Sequence, residues 1–229
     1  MYKFRVALLT AVLILFWASL SGMDSLPRVL ILGDQIYQQV ASDLKKELRD
    51  KVEIHYPRNE PGFVWNSSSA LVMLDQYLGD EKWDLIHFNC GLGDLIHRMP
   101  KINSFRVMPR HAGGIRTTSA KNYKNNLNLL VQKLKATGAK IFWGHTTPIR
   151  HSSTNVFEMA SEIEYNAIAS TIMTRHKIPV NDMYSHVKAL INMEKPAGHG
   201  ADPFSFERKP IHFPLREIII SNLGLKLDQ

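Results

Sequence analysis

Acidic, amide and imidazole side chains recur in this chain directly after short apolar runs, where a site built on a sheet edge collects its groups. Asp34 and Gln35 follow Val29-Leu30-Ile31-Leu32-Gly33, Asn89 and Asp94 follow Leu85-Ile86-His87-Phe88, His145 follows Ile141-Phe142-Trp143-Gly144, and His212 precedes the last apolar stretch. Such groups can handle water: Asp34 with Gln35 would orient it and His212 would deprotonate it, giving general-base hydrolysis without a covalent intermediate. A covalent route needs a hydroxyl. Of the serines that could supply one, Ser67, Ser68 and Ser69 open a helical pattern, where serine caps. Ser205 lies in a loop, without the strained turn that a nucleophile needs. The ten histidines include His87, His97, His111, His145, His151, His199 and His212, but no His-Glu-x-x-His or His-x-His spacing occurs. No metal and no other cofactor is therefore expected. His87 reads as a core histidine on a strand, and His97 and His111 as solvated loop residues.

Charge is placed unevenly. Between Asp94 and the helical pattern that begins at 122 the chain carries Arg98, Lys101, Arg106, Arg110, His111 and Arg116 and no acid. A carboxylate or sulfate group, as on an acidic glycan, would be attracted there, with Arg98, Arg106, Arg110 and Arg116 as its contacts. The other reading is a loop that docks on acids of its own chain. Nucleic acid is not expected as a partner, because no recognisable binding module is present.

These residues need elements to position them. Strand patterns at 28–32, 52–56, 85–88, 140–143 and 178–180 alternate with helical patterns at 37–49, 66–78, 122–135, 156–175 and 214–223. That alternation predicts a mostly parallel five-stranded sheet covered on both faces, a three-layer α/β/α sandwich. The long segments 93–121 and 193–210 interrupt it, as function-bearing loops do. With 229 residues, 45% hydrophobic and 21% charged, the composition excludes a collagen-like or wholly disordered chain, and one domain accounts for it. Residues 1–22 have the form of a signal peptide: Lys3 and Arg5 precede the apolar run 6–20, and small residues follow it. Residues 23–229 form the domain. Export to a periplasm or exterior is the expectation, with an uncleaved membrane anchor over 6–20 as the alternative. The single Cys90 has no internal partner, and removing Lys3 and Arg5 lowers the net charge from +7 to +5.

The chain resembles the SGNH (GDSL-type) esterase/lipase superfamily. The resemblance rests on Val29-Leu30-Ile31-Leu32-Gly33-Asp34-Gln35, Pro61-Gly62, Trp83-Asp84-Leu85-Ile86-His87-Phe88-Asn89-Cys90-Gly91-Leu92-Gly93-Asp94-Leu95, Ile141-Phe142-Trp143-Gly144-His145-Thr146-Thr147-Pro148, Glu164-Tyr165-Asn166, Pro179-Val180-Asn181-Asp182 and Ile211-His212-Phe213-Pro214, in the family's order. It implies a serine nucleophile in the first block, a histidine near the carboxyl end and an Asp three residues before it. Here those positions hold Gln35, His212 and Lys209. Of the oxyanion groups the resemblance implies, Gly62 keeps the glycine, while Gly93 stands where the family has Asn. A carboxamide cannot serve as an alkoxide, and a lysine cannot orient an imidazole as a carboxylate does. The expectation is an exported, monomeric SGNH-like protein that binds a small molecule or glycan without the serine-esterase mechanism. The alternative is an active ester hydrolase, such as a sugar O-deacetylase, using water activated by His212 or a relocated nucleophile.

Overall fold

The computed structural model describes residues 25–57, 62–102, 105–151, 154–194, 206 and 209–226. The expected leader, Pro61, His199, Ser205 and most of the segment 193–210 lie outside the described residues. Among the described residues no helix is long and apolar enough to cross a membrane.

The strands are β1 (Arg28–Leu32), β2 (Glu53–His55), β3 (Leu85–Phe88), β4 (His97–Arg98), β5 (Ile115–Arg116), β6 (Lys140–Gly144) and β7 (Val180–Asn181). The helices are α1 (Gln35–Glu47), α2 (Ser67–Leu78), α3 (Leu92–Leu95), α4 (Ala120–Ala136), α5 (Ser161–His176), α6 (Met183–Leu190) and α7 (Phe213–Leu223). Five strands form one parallel sheet in the order β2-β1-β3-β6-β7, while β4 and β5 make a separate antiparallel ribbon. The expected three-layer sandwich is thus present. From β1 the chain steps one way to β2, and from β3 it steps the other way to β6 and β7. Right-handed crossovers therefore set α1 on one face and α2, α4 and α5 on the other.

Inner strands have no solvent face. Val29, Leu30, Ile31 and Leu32 of β1 and all four residues of β3 are buried, each apolar side chain contributing about 1.5–3 kcal/mol by leaving water. The buried His87 of β3 is a core residue, as its type and place predict. Burial lowers its pKa to about 3, and the Asn181 amide Nδ2 lies 3.2 Å from its Nε2.

Helix starts follow their caps. Asp34 accepts from the Ile36 N–H at 2.9 Å, so α1 begins at Gln35, two residues before the apolar stripe. Asn66 accepts from the Ser68 and Ser69 N–H groups at 2.9 Å while the Asn66 N–H donates to the Ser69 hydroxyl, a reciprocal cap on α2. One expectation needs correction, and one helix was not expected. The helix expected over 156–175 starts only at Ser161, because Ala160 stands at φ +65° and interrupts the turn before it. Residues after β7 form the helix α6, capped by Asp182, where the apolar spacing was too short to signal one.

Removing the Asn66 cap tests this account: Asn66→Ala is expected to cost about 1 kcal/mol and to lower the thermal midpoint by about 2–4 °C, read by circular dichroism.

Candidate functional site

The loops after β1 and β3 part where the strand order reverses, and open α/β sheets bind ligands at such a crevice. A cleft of about 320 Å³ opens there, lined by Asp34, Gln35, Gln38, Tyr56, Trp65 and Phe157 among others. Gln35 presents an exposed carboxamide. Asp34 is fixed beside it, because the Tyr56 hydroxyl donates to the carbonyls of Gly33 and Asp34 at 2.8 and 2.9 Å and clamps the turn. Burial pushes the Asp34 carboxyl up to about 6, against the pull of the Ile36 and Tyr37 N–H groups.

The facing wall is α3. Gly93 lines the cleft with its α-carbon against the Trp65 carbonyl oxygen, so close that an added Cβ would fall inside the carbonyl's contact radius. Trp65 Nε1 donates to the Asn89 carbonyl at 2.6 Å. Asn89 itself is buried behind the wall, donating from Nδ2 to the Gly144 carbonyl at 2.9 Å, and does not line the cleft. Asp94 also turns away. Its carboxylate accepts from the Ser67 N–H at 3.0 Å and from the Ser67 hydroxyl at 2.6 Å, holding the start of α2. Burial raises the Asp94 carboxyl to about 6, opposed by those same bonds. Ser67, Ser68 and Ser69 are thus engaged at the helix start, with Asn126 Nδ2 donating to the Ser67 and Ser68 hydroxyls at 2.9 Å. Gly62 occupies an exposed turn at φ +81° and is not part of the cleft lining.

His212 does not reach the cleft. Its Nε2 lies 2.9 Å from Glu47 Oε2 and its Nδ1 3.9 Å from Asp43 Oδ2. Those acids stand on α1 some 12–18 Å along the helix axis from Gln35, at about 1.5 Å per residue. Arg216 of α7 joins the cluster, its Nε 2.9 Å from Glu47 Oε1. Lys209 is exposed and has no described contact with the imidazole. The expected grouping of Asp34, Gln35, Lys209 and His212 is therefore corrected: two of the four are in the cleft and two are not. The reason is that Asp43 and Glu47 supply a carboxylate pair for His212 on another part of α1.

Solved structures share this architecture. A lipase/acylhydrolase from Enterococcus faecalis matches with a TM-score of 0.63 at 14% identity, over 89% of this chain and 100% of that one. The fold is that of the SGNH hydrolases. A GDSL-like lipase from Bacteroides thetaiotaomicron (TM-score 0.59, 13% identity, 91% and 95% covered) and an acetylxylan esterase from Geobacillus stearothermophilus (0.58, 13%, 87% and 95%) agree. Neither a protein-family model nor a curated protein matches the sequence. Gln35, expected at the nucleophile position, lines the cleft, and His212, expected as its base, does not.

The basic loop divides. Arg116 is paired with Glu158 at 2.7 Å and Glu164 at 3.6 Å and lies 5.5 Å over the Tyr165 ring, and Arg110 meets Glu158 at 3.6 Å. For these two, the intramolecular reading is the one the structure displays. Arg98 and Arg106 have no described acid partner and line none of the described clefts, so the expected four-arginine site is not assembled. Instead a groove of about 570 Å³ is lined by Arg110, Arg150, His151, Asn155, Phe157 and Glu158, and it meets the first cleft at Phe157. Sequence reasoning overlooked Arg150. It is 4% exposed, and a charged side chain so buried at the end of a strand loop is visible only once the loop is folded. Among the described residues no group of three or more His, Cys, Asp or Glu side chains is placed to hold a metal.

Two outcomes follow from this geometry. Asp34 has a higher pKa folded than unfolded, so its contribution to stability is full below pH 3.8 and lost as pH rises through about 6. Asp34→Asn, which keeps a good capping residue, should therefore gain on the parent between pH 4 and 7, by about 1–3 kcal/mol, in urea denaturation. Second, Gln35→Ser with Gly93→Asn should add nothing to whatever aryl-acetate hydrolysis the parent shows and should lower the thermal midpoint, because the asparagine Cβ meets the Trp65 carbonyl and His212 remains out of reach.

Proposed function

We propose that this is an exported SGNH-fold protein whose switch-point cleft binds a glycan without acylating itself. The observation that carries the reading is the displacement of His212: the imidazole expected to serve the nucleophile position is bonded 2.9 Å from Glu47, while Gln35 occupies that position with a carboxamide. The cleft's chemistry fits a sugar. Tyr56, Phe63, Trp65 and Phe157 offer ring faces for C–H surfaces, and Gln35, Gln38 and Asp34 offer donors and acceptors for hydroxyls. Where the cleft meets the neighbouring groove, Arg110 and Arg150 would receive a carboxylate on the same ligand. An acetylated or acidic polysaccharide fragment combines these features, and one of the structural neighbours is named as an acetylxylan esterase.

Isothermal titration with acetylated xylo-oligosaccharide and with oligogalacturonate tests the proposal. Binding weakened at least tenfold by Phe157→Ala, with no loss of ester that depends on Gln35, is the expected result. Ester turnover by the parent that disappears on Gln35→Ala would overturn it.

A further inference from the structure

A second group of side chains lies outside both clefts. Ser170 Oγ stands 2.8 Å from His145 Nε2, and His145 Nδ1 stands 3.0 Å from Asp182 Oδ1. Three elements bring them together: Ser170 is on α5, His145 directly follows β6, and Asp182 directly follows β7. The chemistry is directional. Asp182 is held ionised, because hydrogen bonds from Ser185 and His145 outweigh the burial that would raise its pKa. An ionised carboxylate at Nδ1 places the imidazole proton there and leaves the Nε2 lone pair facing the serine hydroxyl. That hydroxyl has no described bond to its own helix, unlike neighbouring Thr171, whose Oγ1 donates to the Ala167 carbonyl at 3.0 Å. Its proton is thus directed at His145.

The arrangement is also rigid. The His145 carbonyl accepts from the Tyr37 hydroxyl at 3.0 Å, and the His145 N–H donates to the Asn181 carbonyl at 3.0 Å. One turn before Ser170, Asn166 binds the next residue on both sides, accepting from the Thr146 N–H at 2.8 Å and donating to the Thr146 carbonyl at 2.9 Å. The strand end is held without the Ser170 contact, so the serine–imidazole–carboxylate chain is not needed as a clamp. It is open to solvent: Ser170 is half-buried, and the His145 and Asp182 side chains are 17% and 54% exposed.

We propose that Ser170 is an activated nucleophile, with His145 as its general base and Asp182 as the residue positioning the ring, and that it takes acyl groups from small, unhindered esters. Ser170 Oγ bonds to the ester carbonyl carbon as its proton passes to His145 Nε2. The carbonyl electron pair moves to oxygen and returns, the C–O bond to the alcohol breaks, and His145 protonates the departing alcohol. Water, deprotonated by His145, then attacks the acyl-serine, releasing the carboxylic acid and returning the proton to Ser170. None of the clefts described above is lined by these residues, which limits the substrate to a short acyl group such as acetyl. The N–H groups of the α5 residues flanking Ser170 lie inside the helix Ser161–His176 and serve its own ladder, so they are not available to the developing oxyanion. One such donor is worth about 10²–10³ in rate, and acylation is accordingly expected to outrun turnover.

The test is covalent labelling of the folded full chain by an ethoxy fluorophosphonate. Oγ bonds to phosphorus, fluoride leaves and His145 takes the proton. Tandem mass spectrometry is expected to place the adduct on Ser170, with none in Ser170→Ala. Asp182→Asn preserves the cap of α6 but not the charge, so it should label at least tenfold more slowly at an unchanged thermal midpoint. Asp182→Glu should recover part of the rate. An adduct elsewhere, no adduct, or a labelling rate that Asp182→Asn leaves unchanged would overturn the proposal. The adduct's position separates this outcome from the glycan reading, which concerns the cleft at Gln35.

Discussion

The buried ring of Tyr37 ties the functional half of this molecule together. It projects from the first turn of α1 across the ends of three strands, packs 5.1 Å from the His87 ring and donates to the His145 carbonyl. A Cβ on Gly33 would collide with the ring, and one on Gly144 with its hydroxyl and with His87. Both strand ends can approach α1 only because those two positions lack side chains. Through this one wedge the turn carrying Asp34 and Gln35 and the strand end carrying His145 are held in a fixed relation. Close packing of this kind leaves little room for compensating movement.

The residues at the positions that the resemblance marks as catalytic fit their surroundings consistently. Gln35 presents a carboxamide at the cleft, where the resemblance implies a serine. Gly93 is pressed against the Trp65 carbonyl, where an asparagine could not be seated without moving α3 or the start of α2. His212, expected at the cleft, instead meets Asp43 and Glu47 beside Arg216 on the α1–α7 contact. The cleft nevertheless keeps an open mouth, aromatic walls and a carboxyl whose pKa is raised by burial. A pocket of that character suits recognition of a polar ligand better than attack on it.

Electrostatics follow a similar division. The excess of bases over acids suggested a cationic loop, and the loop is cationic by composition. In the folded chain Glu158 faces both Arg110 and Arg116 across a gap of more than forty residues, so much of the loop's charge is answered internally. At the groove beside Phe157, Arg110 and the buried Arg150 share the lining with Glu158, so acid and base face the same space.

What the sequence determined by itself was local or compositional. Alternating apolar runs and amphipathic stretches specified the five parallel strands and the layers around them, because hydrophobic period and capping residues act over a few positions. The absence of a serine at 35 and of an acid at 209 was likewise readable from residue type alone. Partnership was not. That His212 pairs with Glu47, that Asp94 caps α2 instead of facing ligand, and that Ser170 meets a histidine 25 positions away depend on how whole elements pack. The short apolar run of α6 was missed for the same reason, since its stability comes from the Asp182 cap and the buried Met183 and Val187 more than from periodicity. Tertiary structure decided these points because hydrogen bonds and ion pairs form over a few ångströms, and only the folded sheet determines which distant side chains come within them.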